Sequence, residues 1–279
     1  MAIELATQYL PYVDELFSTE SRTSLVTNKD FSWNGAHTVK VYSIGTTGMN
    51  DYDRNGKKDS RNRYGTPEDL EATTQEMTLK KDRSFTFVID RLDNDETVGN
   101  LNGASALARQ LRQVTIPEVD THVYGVIAKG AGFKPAAVTL TAENIYTEII
   151  KAGNELDNAE VPENGRVLIV TPDTYLLMKQ CKDITMETEI GNDMRLKGVI
   201  SNLDGCLVVK VPKNRLPENT GFILCHPVAT VAPVKLESYK NHEDPPGING
   251  TLVEGRICYD AFVLKNKAKA IYYQAVTPA

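Results

Sequence analysis

The stretch Asp51-Tyr52-Asp53-Arg54-Asn55-Gly56-Lys57-Lys58-Asp59-Ser60-Arg61-Asn62-Arg63 holds one aromatic residue and no aliphatic one. Hydrophobic alternation stands on both sides of it. Val39 and Val41 share one face over Thr38 to Ile44, and Ser84 to Ile89 repeats the period of two, as strands do. A connection of this length inside a compact domain is uncommon and usually functional or disordered. A long two-stranded projection is also marginally stable alone in water. The sequence therefore predicts a hairpin that takes its stability from elsewhere, and a neighbouring copy of the chain is the natural source.

The flanks extend the picture. Leu5, Leu10, Val13, Leu16 and Phe17 have helical spacing interrupted by Pro11, which predicts a short kinked helix or arm. After the hairpin, residues 102–129 carry a helical stripe with a kink or break expected near Pro117 and glycines just beyond its end. Ala142, Ile145, Ile149, Ala152 and Leu156 predict a second amphipathic helix, with Thr141 as its cap and Glu143 in its first turn. Arg166 to Val170 reads as a buried strand, followed by a helix start at Thr171-Pro172. Residues 206–211 and 222–225 read as further strands. A terminal hairpin is expected to join residues 256–264 and 270–274 across Lys265 to Lys269.

Composition narrows the function. The 279 residues are 41% hydrophobic and 24% charged, the balance of a folded globular protein. No run approaches the roughly 18 apolar residues that a membrane helix needs, and no secretory signal is visible at the N-terminus. A net charge of -6 argues against general nucleic-acid binding by the whole surface. Cys181, Cys206, Cys225 and Cys258 form no C-x-x-C pair and read as small buried hydrophobes.

Motifs for chemistry are sparse. Asp51-x-Asp53-x-Asn55-Gly56 matches the first half of an EF-hand loop, but the twelfth position is Asn62 where a glutamate is needed, and Lys57 and Lys58 oppose a dication. A solvated turn explains it better. His37, His122, His226 and His242 are too scattered for a zinc site. Neither a nucleophile elbow nor a phosphate loop is found. The lysines 265, 267 and 269 read as a solvated turn. The sequence thus yields no catalytic, cofactor-binding or metal-ligating residue, and no cofactor.

The order of segments then carries a resemblance. A polar arm precedes a hairpin containing Asp51-Tyr52-Asp53-Arg54. Asp93-Asn94-Asp95-Glu96-Thr97 leads to a helix carrying Val114-Thr115-Ile116-Pro117-Glu118-Val119-Asp120. The chain closes with Glu254-Gly255-Arg256-Ile257-Cys258-Tyr259-Asp260-Ala261-Phe262-Val263-Leu264. Together these resemble major capsid proteins of tailed bacteriophages and prophages, over essentially the whole chain.

The resemblance implies an α+β subunit of the Hong Kong 97-type fold and no active site. It implies an N-terminal arm over residues 1–32, an extended loop over 33–90 and a peripheral domain with spine helix over 91–140. An axial domain over 141–240 and peripheral C-terminal strands over 241–279 complete it. The partners implied are other copies of the chain in hexamers and pentamers, a portal, and packaged double-stranded DNA held by confinement. No scaffolding helix precedes the arm, so a separate scaffolding protein is expected. No lysine–asparagine crosslink can be matched, and no membrane partner is expected. The chain would pass from host cytoplasm to the virion. Leu79, Phe85 and Phe87 are expected to anchor the hairpin, with Arg54, Lys57 and Arg61 in interfacial ion pairs. The alternatives are an encapsulin-like nanocompartment shell, which shares the fold, and a calcium-binding module built on residues 51–62.

Overall fold

The computed structural model describes residues 20–28, 38–55, 62–69, 72–96, 102–186 and 202–277. The expected N-terminal helix, His37, Lys57 and Arg61 lie outside the described residues. The first elements are β1 (Thr38–Ile44), β2 (Ala72–Thr78), β3 (Lys81–Asp90), α1 (Arg91–Glu96), α2 (Gly103–Gln110) and α3 (Ile116–Gly130). Then come α4 (Ile145–Asn158), β4 (Val167–Val170), α5 (Pro172–Gln180), α6 (Lys182–Met186), β5 (Asn202–Leu203), β6 (Cys206–Lys210) and β7 (Thr220–Cys225). The last are β8 (Thr230–Val231), β9 (Val234–Glu243), β10 (Gly250–Tyr259), β11 (Phe262–Val263) and β12 (Ile271–Ala275). The chain divides into two compact units, residues 35–78 and the rest.

In the smaller unit β1 pairs antiparallel with β2, from Thr38 opposite Thr78 to Ile44 opposite Ala72. The expected partner of β1 was the 84–89 alternation. That stretch instead lies in β3, in the larger unit, so residues 79–90 are not part of the hairpin. The true partner, Ala-Thr-Thr-Gln-Glu-Met-Thr, has no apolar period. It pairs through the Thr38 and Thr78 hydroxyls at 2.9 Å and a Lys40–Glu76 contact at 2.7 Å.

A five-stranded sheet in the order β12-β7-β4-β6-β5 forms the centre of the larger unit. Its neighbours run antiparallel except β4 and β6, which are parallel. Alternate residues of β4 go to opposite faces. Val167 and Ile169 join Val123, Tyr124 and Ile127 of α3, while Leu168 and Val170 join Ile145, Ile149, Ala152 and Leu156 of α4. A sheet covered on both faces requires strands that are apolar throughout, hence Val-Leu-Ile-Val and Gly-Phe-Ile-Leu-Cys. Each such side chain, fully buried, contributes on the order of 1.5–3 kcal/mol.

The terminal hairpin is not formed. β12 pairs with β7, Lys265–Ala270 makes a 3-10 turn, and β10 sits between β3 and β9 in a separate three-stranded sheet. Ile271 and Tyr272 explain the choice, since each fills one of the two apolar layers flanking the central sheet. α4 begins at Ile145, later than expected. Thr141 and Asn144 form a reciprocal turn ahead of it, with Thr141 N–H donating to Asn144 Oδ1 at 2.8 Å and Asn144 N–H to Thr141 Oγ1 at 3.3 Å. The Thr171 cap forms as expected, its hydroxyl accepting from Thr174 N–H at 3.2 Å.

Of the kink or break expected near Pro117, the break does not occur: the helix continues, with an irregular turn just ahead of the proline. α2 and α3 join through a π-helical turn, Leu111–Thr115, in which the Ile116 amide reaches back to the Leu111 carbonyl. Proline cannot donate to the carbonyl four residues back and its ring crowds that group; widening the turn just ahead relieves both problems. The helix therefore runs from Gly103 to Gly130, about 40 Å at 1.5 Å per residue.

Candidate assembly interface

A carboxylate marks the first junction. Asp120 stands three, four and seven residues before Val123, Tyr124 and Ile127, on the face of α3 that enters the core. A charge there needs a buried partner. Arg215 supplies it, with Nη1 2.8 Å from Asp120 Oδ2 and side-chain exposures of 5% and 2%. The other carboxylate oxygen accepts from the Ser21 hydroxyl at 2.6 Å. Asn28 N–H donates to the Thr230 carbonyl at 2.7 Å, and Val26 is buried beside Tyr124 and Ala229. Residues 20–28 are thereby stitched to the rest of the larger unit. Burial, reinforced by the Asp120 carboxylate, pushes the Tyr124 phenol upward. Sequence reading missed the junction because its partners are 95 and 99 residues apart; the clue was a carboxylate inside an apolar stripe.

The second junction lies where α3 meets β10. The Asp260 carboxylate accepts from His122 Nε2 at 2.7 Å, Ala261 N–H at 2.8 Å and Lys80 N–H at 3.0 Å. Glu118 accepts from Arg83 Nε at 2.7 Å and from the Tyr259 hydroxyl at 3.3 Å. Burial and the Glu118 carboxylate push the Tyr259 phenol up to about 12. Phe85 stacks against Phe87 and Tyr239 with ring centroids 6.3 and 6.2 Å apart, over Gly255. Phe85 and Phe87, with Leu79, thus belong to the larger unit, and the expectation that they anchor the hairpin is corrected.

In the hairpin unit the sequence string with EF-hand spacing is occupied by its own backbone. Asp53 Oδ1 accepts from Asn55 N–H at 3.1 Å, Asn62 Oδ1 accepts from Tyr64 N–H at 3.1 Å, and Asp53 N–H reaches the Arg63 carbonyl at 3.0 Å. Tyr52 and Tyr64 meet edge to face at 5.1 Å. Around this polar frame apolar surface is open to solvent: Tyr42 is 69%, Ile44 68%, Met49 101% and Tyr64 76% exposed. Arg54 is exposed.

The remaining polar groups serve the fold. His226 Nε2 donates to the Asn164 carbonyl at 3.0 Å while Nδ1 accepts from Val228 N–H at 3.2 Å. His242 faces Glu254 at 3.3 Å across the β9–β10 ladder. Cys181, Cys206 and Cys225 are buried and Cys258 half-buried; burial raises the Cys206 thiol and pushes Cys225 up to about 12. The cleft of about 460 Å³ between α4 and the β5–β6 turn has Arg166 in its wall, already bonded to Asp157 at 2.7 Å and the Pro162 carbonyl at 2.9 Å. Among the described residues no three histidine, cysteine or carboxylate side chains converge as metal ligands, and no helix is long and apolar enough to cross a membrane.

A family model described as phage capsid protein matches residues 71–274. A structure from Mycobacterium phage Che8 is 17% identical, aligned over 97% of each chain with a TM-score of 0.80. The capsid of cyanophage P-SCSP1u is 12% identical over 99% of this chain and 94% of that one, TM-score 0.78. The mature capsid of bacteriophage PhiM1 is 12% identical over 100% and 93%, TM-score 0.74. No curated protein matches the sequence. The α+β architecture is that of the Hong Kong 97-type capsids, and, with the family model spanning most of its length, the chain belongs to the phage capsid protein family.

Proposed function

We propose that this coat protein builds an icosahedral shell from hexamers and pentamers around double-stranded DNA, without catalysis. The observation that carries the reading is the hairpin unit, with Tyr42 and Ile44 on its ribbon and Met49 and Tyr64 between its strands open to solvent. In a ring of copies the hairpin reaches a neighbour. Head-to-tail contacts of this kind close into rings when the rotation permits, and several modest contacts reinforce one another through effective concentration. Exposed pairs such as Lys40–Glu76 contribute only about 0–1 kcal/mol and set register more than strength.

In this reading residues 35–78 form the extended loop, α2 and α3 the spine helix, and β3, β9 and β10 the peripheral sheet. The five-stranded sheet with α4 to α6 forms the axial domain. A separate scaffolding protein guides assembly in the host cytoplasm, and a portal occupies one vertex. Deleting residues 51–63 tests the proposal. The expected result is a folded chain by circular dichroism that yields no closed particles by electron microscopy. Normal shells from the deletion overturn it, as do natural particles that enclose protein cargo and no DNA.

A further inference from the structure

Residues 121–142 and 261–279 are two of five stretches of about twenty residues without a carboxylate side chain, the others being 31–50, 97–117 and 219–236, in a chain with 37 Asp and Glu in 279 residues. They are some 130 residues apart and the fold lays them side by side. Gly132 N–H donates to the Ala268 carbonyl at 2.8 Å, Phe133 N–H to the Ile271 carbonyl at 3.2 Å, and Tyr273 N–H to the Phe133 carbonyl at 2.9 Å. The approach is so close that a Cβ on Gly132 would stand 2.6 Å from the Ala268 oxygen. Ala268 is flanked by Lys267 and Lys269, and Gly132 is followed two residues on by Lys134. With Lys129 and Lys265 they make five exposed lysines gathered about one backbone contact.

The helix dipole accounts for part of this. Lys134 Nζ donates to the Lys129 carbonyl at 2.6 Å, at the negative end of α3. It does not account for the three lysines of the 265–270 turn. Among the described residues, none of Lys129, Lys134, Lys267 and Lys269 stands within ion-pair distance of a carboxylate.

We infer that this lysine patch contacts the phosphate backbone of double-stranded DNA and so marks a surface that faces the shell interior. The inference rests on the proposal that the shell encloses DNA. The residue type chooses the partner. Protein interfaces are enriched in arginine and depleted in lysine. All five cations here are lysines, compact point charges on long stems, which suit phosphates met without regard to sequence. One patch on an acidic subunit also gives local contact without the uniformly basic wall that would hold DNA against filling and release.

The test is fluorescence anisotropy of a labelled 20-base-pair duplex with the purified full-length chain between 50 and 200 mM salt. If all five lysines engage phosphates, affinity falls about 500-fold across that range; in Lys267→Ala/Lys269→Ala it falls only about 40-fold. Lys267→Arg/Lys269→Arg keeps the original salt dependence, and melting curves confirm that both variants fold. An unchanged salt dependence in the alanine variant overturns the inference. So does a wild-type chain that ignores the duplex and binds polyglutamate through these lysines, which marks an acidic protein as the partner. DNA extracted from natural particles separates the two levels. Empty particles overturn the enclosing of DNA, whereas filled particles with unaltered salt dependence in the variant overturn the patch alone.

Discussion

Replacing Arg215 by Met removes the guanidinium while keeping much of its apolar bulk. Asp120, 2% exposed, would then hold a buried negative charge with the Ser21 hydroxyl as its remaining side-chain partner. Breaking one side of such a pair costs about 3–5 kcal/mol, chiefly from the charge left behind. For a chain of this size 1 kcal/mol corresponds to about 2–4 °C, so the unassembled variant should melt about 6–20 °C lower. The pair itself makes a smaller net contribution, because forming it strips water from both groups. Asp120→Leu combined with Arg215→Met should therefore recover most of the lost stability. Urea denaturation followed by circular dichroism gives the three values. The single variant should also expose the exit of the arm, seen as faster tryptic cleavage after Arg22. A single variant within 1 kcal/mol of wild type, or a double variant as unstable as the single, would refute the reasoning.

Glycines give a paired expectation. Gly125, inside α3 with open space where a Cβ would stand, should gain up to about 1 kcal/mol on change to Ala. Gly132→Ala, which drives a methyl into the 268–269 backbone, should lose about 1–3 kcal/mol in the same urea titration. Alkaline stability follows from Cys225, whose thiol rises from 9.0 to about 12 by burial. Below pH 9 both states keep the proton; between pH 9 and 12 the unfolded chain releases it and the folded one does not. Stability should fall across that window, by at most about 1.4 kcal/mol per pH unit from this group, and Cys225→Ala should flatten the slope. A thiol reagent should modify Cys258 rapidly in the native unassembled chain and the other three cysteines only on unfolding; fast labelling of Cys225 would contradict its burial.

Sequence reading succeeded where one element carries its own signal. β4 and β7 announce a sheet covered on both faces by being apolar at every position, and Thr171-Pro172 announces a helix start. It failed where a signal is shared between distant segments. β2 contains one large apolar residue, Met77, and is a strand because Thr38, Lys40 and Val41 stand opposite Thr78, Glu76 and Gln75. The adjacent Phe-Thr-Phe-Val-Ile run carries the stronger period-two signal and mimics the partner strand. The sequence pattern of β12 suggests pairing with the strand just before it, whereas its two faces are claimed by α3 and α4 layers assembled from residues more than a hundred positions earlier. The candidate surfaces divide in the same way. The hairpin is legible as a polar run between strands. The Asp120–Arg215 junction and the lysine patch exist only after folding joins their halves, and three lysines at alternate positions look like an ordinary turn until Gly132 is placed against them.

The ladder between β3 and β10 sets residue 81 opposite residue 259. During synthesis β3 emerges about 170 residues before the strand that will cover its flank. At translation speeds of about 5–20 residues per second it waits on the order of 10–30 s. An unpaired strand is a template for any other chain with matching hydrogen-bonding groups, and a virus-infected cell makes many identical chains at once. The order of synthesis therefore creates a period of vulnerability to misassociation. Chaperone capture of the nascent chain, measurable by selective ribosome profiling, should begin as β3 leaves the exit tunnel.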